Sequence, residues 1–275
     1  MGVLTQGTNF SGIAFKGEKL FAFVPGLKLW LQYGSGMQPS SGPGAGRVEI
    51  WKDQSDNSMN YSGALTGNTR DRNPIDTGAS LNFQSGDTTP TSLLRDAGNS
   101  YKLNFLNGGV KRGFYTIVKT KYSVTDGDEN CAIRTGTQGA GSPDSYRVSF
   151  FSSSRNISYA VRINGVNVTR TINAAYTDDT YFLFRDILKT NNTADNHKMY
   201  VDNSVLGTFT ENRSPSPSTN IPADNSLTKS GANTEWHVKI VLAYDWDAYT
   251  DSEIDAFDTQ VMEILKRIYP TIITW

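Results

Sequence analysis

The feature that most constrains this chain is a period-two alternation of apolar and polar residues, which runs with interruptions from Leu27 to about Trp246 and then stops. Alternation at that period places every second side chain on one face of an extended strand, so each run has one buried face and one wet face. Leu27-Lys28-Leu29-Trp30-Leu31-Gln32-Tyr33 and Arg47-Val48-Glu49-Ile50-Trp51 open the series, and runs at 80–83, 113–120, 131–134, 146–151, 157–163, 166–172, 181–188, 198–202, 204–209 and 236–246 continue it. Between two of these runs lies Asn164-Gly165, whose residues accept the positive φ of a two-residue hairpin turn and so fix how the flanking strands pair. Beyond Trp246 the period changes. Thr250-Asp251-Ser252-Glu253 has the form of a capping box, and Ile254, Phe257, Val261, Ile264, Leu265 and Ile268 recur at helical spacing until Tyr269-Pro270 ends the pattern. The expected fold is therefore antiparallel sheet closed by one C-terminal amphipathic helix. Two stretches carry no alternation, 34–46 and 211–233, and both are expected to be loops. The second is long enough to need a function or a partner to order it.

Counting residues removes several classes of protein. Cys131 is the only cysteine, so neither an intrachain disulfide nor a cysteine-rich metal site can form. His197 and His237 are the only imidazoles, and their settings, Asn196-His197-Lys198-Met199 and Glu235-Trp236-His237-Val238, read as strand positions with structural roles. With 26 Lys+Arg against 27 Asp+Glu there is no charge footprint for nucleic acid or for an anionic membrane. Charged residues make up 19% and apolar ones 37%, leaving a surface rich in hydroxyls and amides. Met1-Gly2-Val3-Leu4-Thr5-Gln6 begins the chain without a basic region or a long apolar run, so synthesis in a host cytoplasm without a signal peptide, for a place in a virion, is expected.

Several of these segments, taken in order, resemble a known family. Gly26-Leu27-Lys28-Leu29-Trp30-Leu31, Val48-Glu49-Ile50-Trp51-Lys52-Asp53-Gln54-Ser55-Asp56-Asn57 and Leu81-Asn82-Phe83 resemble the opening strands and turn of concanavalin A-like jelly-roll domains of the laminin-G-like type. Met199-Tyr200-Val201-Asp202-Asn203 is similar to a later hairpin of that family, with Asn203 where a glycine is usual. Ala243-Tyr244-Asp245-Trp246 followed by Thr250-Asp251-Ser252-Glu253-Ile254 resembles its terminal strand and closing helix. The resemblance implies an all-β, two-sheet antiparallel jelly-roll sandwich over residues 26–275. Residues 1–25 fall outside it, as an N-terminal extension whose apolar Lys19-Leu20-Phe21-Ala22-Phe23-Val24 would be an edge strand or an arm onto a neighbour.

Some relatives of this fold cleave glycans, which requires two carboxylates about 5–10 Å apart. The sequence has no Glu-x-Asp-x-x-Glu run; of its acidic clusters, Asp126-Gly127-Asp128-Glu129 and Asp178-Asp179 fall in expected turns and Asp245-Trp246-Asp247 reads as a polar strand end before the helix, so no enzyme is expected. Sugar recognition by this class of fold uses flat aromatic faces beside polar side chains. Candidate carbohydrate contacts are Tyr61 with Arg70, Asp71 and Arg72, and Trp246 with Tyr249, each equally readable as a packed strand end. Asp53, Asp56 and Asn57 offer oxygens at turn spacing and are a weak calcium candidate beside the simpler reading as an Asx turn. Otherwise no cofactor is expected. The first functional expectation is a structural protein of a bacteriophage virion surface, a capsid decoration, head fibre or tail component, self-associating and contacting other virion proteins. The alternative is a carbohydrate-binding adhesin or receptor-binding module.

Overall fold

The structure is a computed structural model, and it describes residues 20–39, 46–63, 73–83, 91–97, 100–107, 110–121, 129–135, 145–151, 154–163, 166–173, 175–190, 192–212, 224–230, 235–273 and 275. Among these the strands form two antiparallel sheets. The first sheet contains β1 (Leu27–Gln32), β5 (Ile75–Asp76), β6 (Leu81–Asn82), β8 (Arg112–Thr120), β13 (Phe182–Leu188), β14 (His197–Val201), β15 (Ser204–Phe209) and β17 (Trp236–Asp245). The second contains β2 (Met37–Pro39), β3 (Val48–Lys52), β4 (Asn60–Ser62), β7 (Thr91–Ala97), β9 (Glu129–Thr135), β10 (Ser145–Phe151), β11 (Asn156–Ile163), β12 (Val166–Ile172) and β16 (Asp224–Ser230). The first sheet runs β15-β14-β13-β8-β17-β6-β5, and β17 divides its far edge between β6 and β1. The second runs β12-β11-β10-β9-β16-β7-β4-β3-β2. This is the jelly-roll sandwich that the alternation and the family resemblance imply. The strands expected to flank a turn at Asn164-Gly165 are paired, β11 to β12 from Ile157↔Ile172 to Ile163↔Val166, while the two turn residues lie outside the described residues.

Two apolar layers follow from the alternation. Leu29, Leu31, Phe114, Val118, Phe184 and Val241 point inward and meet Trp51, Tyr146, Val148, Phe150 and Tyr159 of the opposite sheet. The other face of the first sheet presents Trp30, Tyr115, Ile117, Leu183, Ile187, Ile240, Leu242 and Tyr244, a second apolar surface that needs its own cover. The helix α1 (Asp251–Ile268) supplies it through Ile254, Val261 and Leu265. Thr250 accepts from the Glu253 N–H while Glu253 returns a carboxylate oxygen to the Thr250 N–H, so the expected capping box is formed.

Three regions depart from the sequence expectation. Leu20–Phe23 is a 3-10 helix rather than an edge strand, and Phe21 and Val24 are buried against the outer face of the first sheet. Phe21 packs edge-on to Trp30 with ring centroids 5.3 Å apart. Within the stretch expected to be a Gly/Pro/Ser loop, Met37–Pro39 forms the edge strand β2 against β3. The third departure is the largest: Asp224–Ser230, placed in a long loop, is the interior strand β16 between β7 and β9. Its Asp-Asn-Ser-Leu-Thr-Lys-Ser sequence buries one large apolar side chain, Leu227, so ladder hydrogen bonds on both edges hold a segment that propensity alone would leave as loop.

Candidate functional site

Those of the residues singled out by the sequence that are described do not assemble into a surface site. Tyr61 lies on β4 with its ring inside the inter-sheet core, fully buried. Trp246 is also fully buried, stacked on Tyr244 at 5.4 Å and 25°, with its Nε1–H donated to the Pro25 carbonyl at 2.9 Å. A Cβ on Gly113 would stand 2.4 Å from the Trp246 ring, which shows how tightly that indole is packed. Neither ring presents a face to a sugar, because each completes an apolar core. Tyr249 is half-buried and packs edge-on to Phe257 at 5.0 Å. Arg70, Asp71 and Arg72 lie outside the described residues.

The calcium candidate resolves into an internally bonded turn. Asp53 is buried, and its Oδ1 accepts from the N–H groups of Trp30 and Ser55, both at 2.9 Å. Its Oδ2 accepts from the Ser55 hydroxyl at 2.6 Å and the Met59 N–H at 3.2 Å. Asn57 Nδ2 donates to the Lys28 carbonyl at 2.7 Å, and Asp56 is exposed. Asp53 and Asn57 thus serve as an Asx-type clamp joining the β3–β4 turn to β1. Burial pushes the Asp53 carboxyl up, against the opposing pull of these donors. Among the described residues no group of three or more His, Cys, Asp or Glu side chains is placed to hold a metal.

A second polar constellation lies between the sheets. His197 on β14 reaches Asp186 on β13 through Nε2 at 2.5 Å and Glu211 through Nδ1 at 3.2 Å. Tyr146 of the opposite sheet donates its hydroxyl to Asp186 at 2.7 Å, and Arg112 donates to the Tyr159 hydroxyl at 2.7 Å. Burial opposes ionisation of Asp186, but the charges of His197 and Arg112 and the hydrogen bonds from His197 and Tyr146 outweigh it, holding the carboxyl well below the usual range. The side chains of Arg112, Asp186 and His197 are 0% exposed and that of Glu211 is 3% exposed, so these carboxylates have no room for a sugar. They tie one sheet to the other. His197 accordingly has the structural role that its strand setting suggests.

Among the described residues a groove opens to solvent beside the crossover that carries the chain from β12 to β13. Two adjoining hollows with cavity volumes of about 300 Å³ and 340 Å³ share Ala175, Val201 and Asp202 as lining. Trp275, Asn203 and Ser204 line the first; Arg155, Thr177, Thr180 and Tyr181 line the second. The local structure that shapes it is firmly held. Tyr176 stacks on Phe182 at 4.8 Å and 12° and donates its hydroxyl to the Phe151 carbonyl at 2.7 Å. The β14–β15 turn places Asp202 at φ +52°, and Asp202 is bonded twice to Leu183: its N–H donates at 2.7 Å and its Oδ1 accepts at 2.9 Å. Burial raises the Asp202 carboxyl, with the Leu183 N–H acting the other way. Trp275 is set by its Nε1–H, donated to the Tyr269 carbonyl at 3.2 Å.

This groove combines an indole and a phenol ring with amide, hydroxyl, carboxylate and guanidinium groups, the set that recognises polyhydroxylated ligands. Asp202 is the one carboxylate among its described lining residues, whereas general acid–base cleavage of a glycoside uses two. The sequence contained its parts: the Asp202-Asn203-Ser204 turn, the Thr177-Asp178-Asp179-Thr180 run flanked by Tyr176 and Tyr181, and the terminal Trp275. Nothing in their spacing says that they meet.

No family model matches the sequence, and no curated protein matches it. Among solved structures the fold is similar to the binding domain of botulinum neurotoxin DC in complex with SialylT, with a TM-score of 0.53 at 10% identity over 88% of this chain and 52% of that one. A structure described by the dependence of botulinum neurotoxin type C cell entry on two ganglioside molecules gives a TM-score of 0.52 at 10% identity, covering 86% and 51%. The binding domain of botulinum neurotoxin DC in complex with rat synaptotagmin II gives 0.51 at 9% identity, covering 86% and 52%. The chain spans about half the length of these structures, and at such identity the likeness is one of fold.

Proposed function

We propose that this chain is a non-enzymatic carbohydrate- or receptor-binding module whose contact surface is the groove between the β12–β13 crossover, the β14–β15 turn and Trp275. The observation that carries the reading is the groove's content: two accessible aromatic side chains beside Asn203, Ser204, Thr177 and Thr180, with a single described carboxylate, Asp202, already bonded to Leu183. The structural neighbours support it, since they are binding domains whose descriptions name SialylT, gangliosides and a synaptotagmin. They favour this reading over the virion structural role that the composition put first.

A glycan array followed by titration of the best hits tests it. Saturable binding is expected, with Trp275→Ala weakening it by about tenfold or more, since base or sugar stacking on an aromatic face is worth roughly 1–3 kcal/mol. Tyr61→Phe, a change inside the core, should leave affinity unaltered. The reading fails if no glycan or receptor binds saturably, or if Trp275→Ala binds as the parent does. Release of reducing ends from a bound glycan would overturn the non-enzymatic part.

A further inference from the structure

Beyond the groove's Tyr181 end, the outer face of the first sheet carries an uncompensated positive charge. Lys119 of β8 and His237 of β17 are register partners, and Lys239 follows two residues later beside a bulge. The ammonium of Lys239 lies 4.6 Å from the centroid of the Tyr181 ring and that of Lys119 lies 5.6 Å from it. The His237 ring meets the same phenol edge-on at 6.4 Å. Lys119 has a carboxylate partner in Asp179 at 2.8 Å, while His237 contacts Ser80 at 2.9 Å and Glu235 at 3.3 Å. Lys239 differs. It is 8% exposed, its ammonium donates to the Ala79 carbonyl at 2.6 Å, and among the described residues no carboxylate is within ion-pair distance of it.

Withdrawing an ammonium from water without an ionic partner is costly, and a carbonyl and a ring face repay only part of that cost. The cost shows as a Lys239 ammonium whose affinity for its proton is lowered by burial and by the neighbouring Lys119. A fold that needed only packing here would be served as well by an apolar side chain of the same length. An incoming anion would supply the missing partner, and Tyr181, which lines the second hollow, sets the ammonium pair at that hollow's edge. Arg155 lines the same hollow as Tyr181.

We infer that the ligand of this groove is an anionic glycan, bearing a carboxylate or a sulfate that docks on Lys239 and Lys119 beside the Tyr181 ring. This rests on the glycan-binding reading and narrows its ligand class. The test uses the whole chain and one oligosaccharide core in three forms: neutral, carboxylated and sulfated, with free inorganic sulfate as competitor and an acidic peptide as a separate probe. At least one acidic form should bind about tenfold or more tightly than the neutral form, the worth of one charge-assisted hydrogen bond. Lys239→Met should erase that preference while keeping neutral-glycan binding, and Lys119→Gln, a more exposed change, should reduce it without disturbing the fold. Which acidic form wins separates carboxylate from sulfate recognition. Equal affinity for neutral and acidic forms, or an acidic preference that survives Lys239→Met in a folded variant, overturns the inference and leaves the glycan reading standing. Absence of binding to all three glycans, including the case where only the acidic peptide or free sulfate binds, overturns the inference, and silence of the full glycan array and of receptor probes as well overturns the binding-module reading with it.

Discussion

The inter-sheet cluster around Asp186 and the groove around Asp202 use similar residue types and behave in opposite ways. Each sets a carboxylate beside aromatic rings and a guanidinium, yet the first is sealed while the second opens to solvent. Each described polar group of the sealed cluster has its partner: the Arg112 guanidinium and the His197 ring face Asp186, and Arg170 faces Glu211 at 3.4 Å. At the groove, Asp202 is spent on backbone groups of Leu183, leaving hydroxyls, amides and ring faces directed outward, and beyond its Tyr181 end Lys239 holds a carbonyl but no carboxylate among the described residues. Chemically versatile residues therefore do not by themselves mark a site. What separates the two regions is whether the fold has already satisfied them.

The largest way to break this contrast is to open the sealed cluster. Asp186→Ala leaves Arg112 buried without its carboxylate, and removing one member of a buried ion pair costs about 3–5 kcal/mol. Denaturant titration should show that loss, and a variant as stable as the parent would reduce the cluster to incidental packing. Acid probes the same bond more gently. Because the Asp186 carboxyl ionises below its unfolded value, the stability it contributes is complete above that value, about pH 4, and declines as pH falls toward the folded value. Unfolding followed between neutral pH and pH 3 should show this decline, and Asp186→Asn should flatten it. A parent chain with acid-independent stability would contradict the charge assignment.

A third change separates fold from site at the helix. Thr250→Ala removes the side-chain acceptor at the N-cap of α1 and should cost about 1 kcal/mol of stability, with glycan affinity kept, because the cap touches neither region. The smallest stability effect belongs to the groove. Asn203→Ala, on an exposed turn, should stay within about 0.5 kcal/mol of the parent in unfolding, as surface substitutions generally do, while reducing ligand affinity. An Asn203→Ala variant that unfolds easily but binds normally would reverse the assignments of the two regions.

Much of the scaffold was legible before any coordinates. Alternation fixed most strands of both sheets, Asn164-Gly165 fixed one hairpin, and Thr250 with Glu253 fixed the start of α1, because each depends on neighbours within a few residues. Strand β16 was not legible, since its polar sequence becomes a strand only when β7 and β9 satisfy both of its edges. The errors at Tyr61 and Trp246 share one cause. An aromatic residue beside polar ones reads the same whether its ring faces solvent or completes a core, and only packing from segments far away in sequence separates these outcomes.

The sequence by itself determined that this chain is antiparallel sheet followed by a capped amphipathic helix, because periodicity and capping are local and repeat along the chain, while the two-layer sandwich came in as what the family resemblance implies. Tertiary structure alone decided which polar residues were consumed and which were left to act. Trp275, the Asp202 turn, Thr180 and Tyr181 come from separate parts of the chain, and long-range pairing brings them to one groove. Lys239 has the right character for its role only because the fold buries it beside Tyr181 and Lys119 without giving it an acid. Burial and partner choice are properties of the assembled molecule, set by contacts between residues that no local pattern connects.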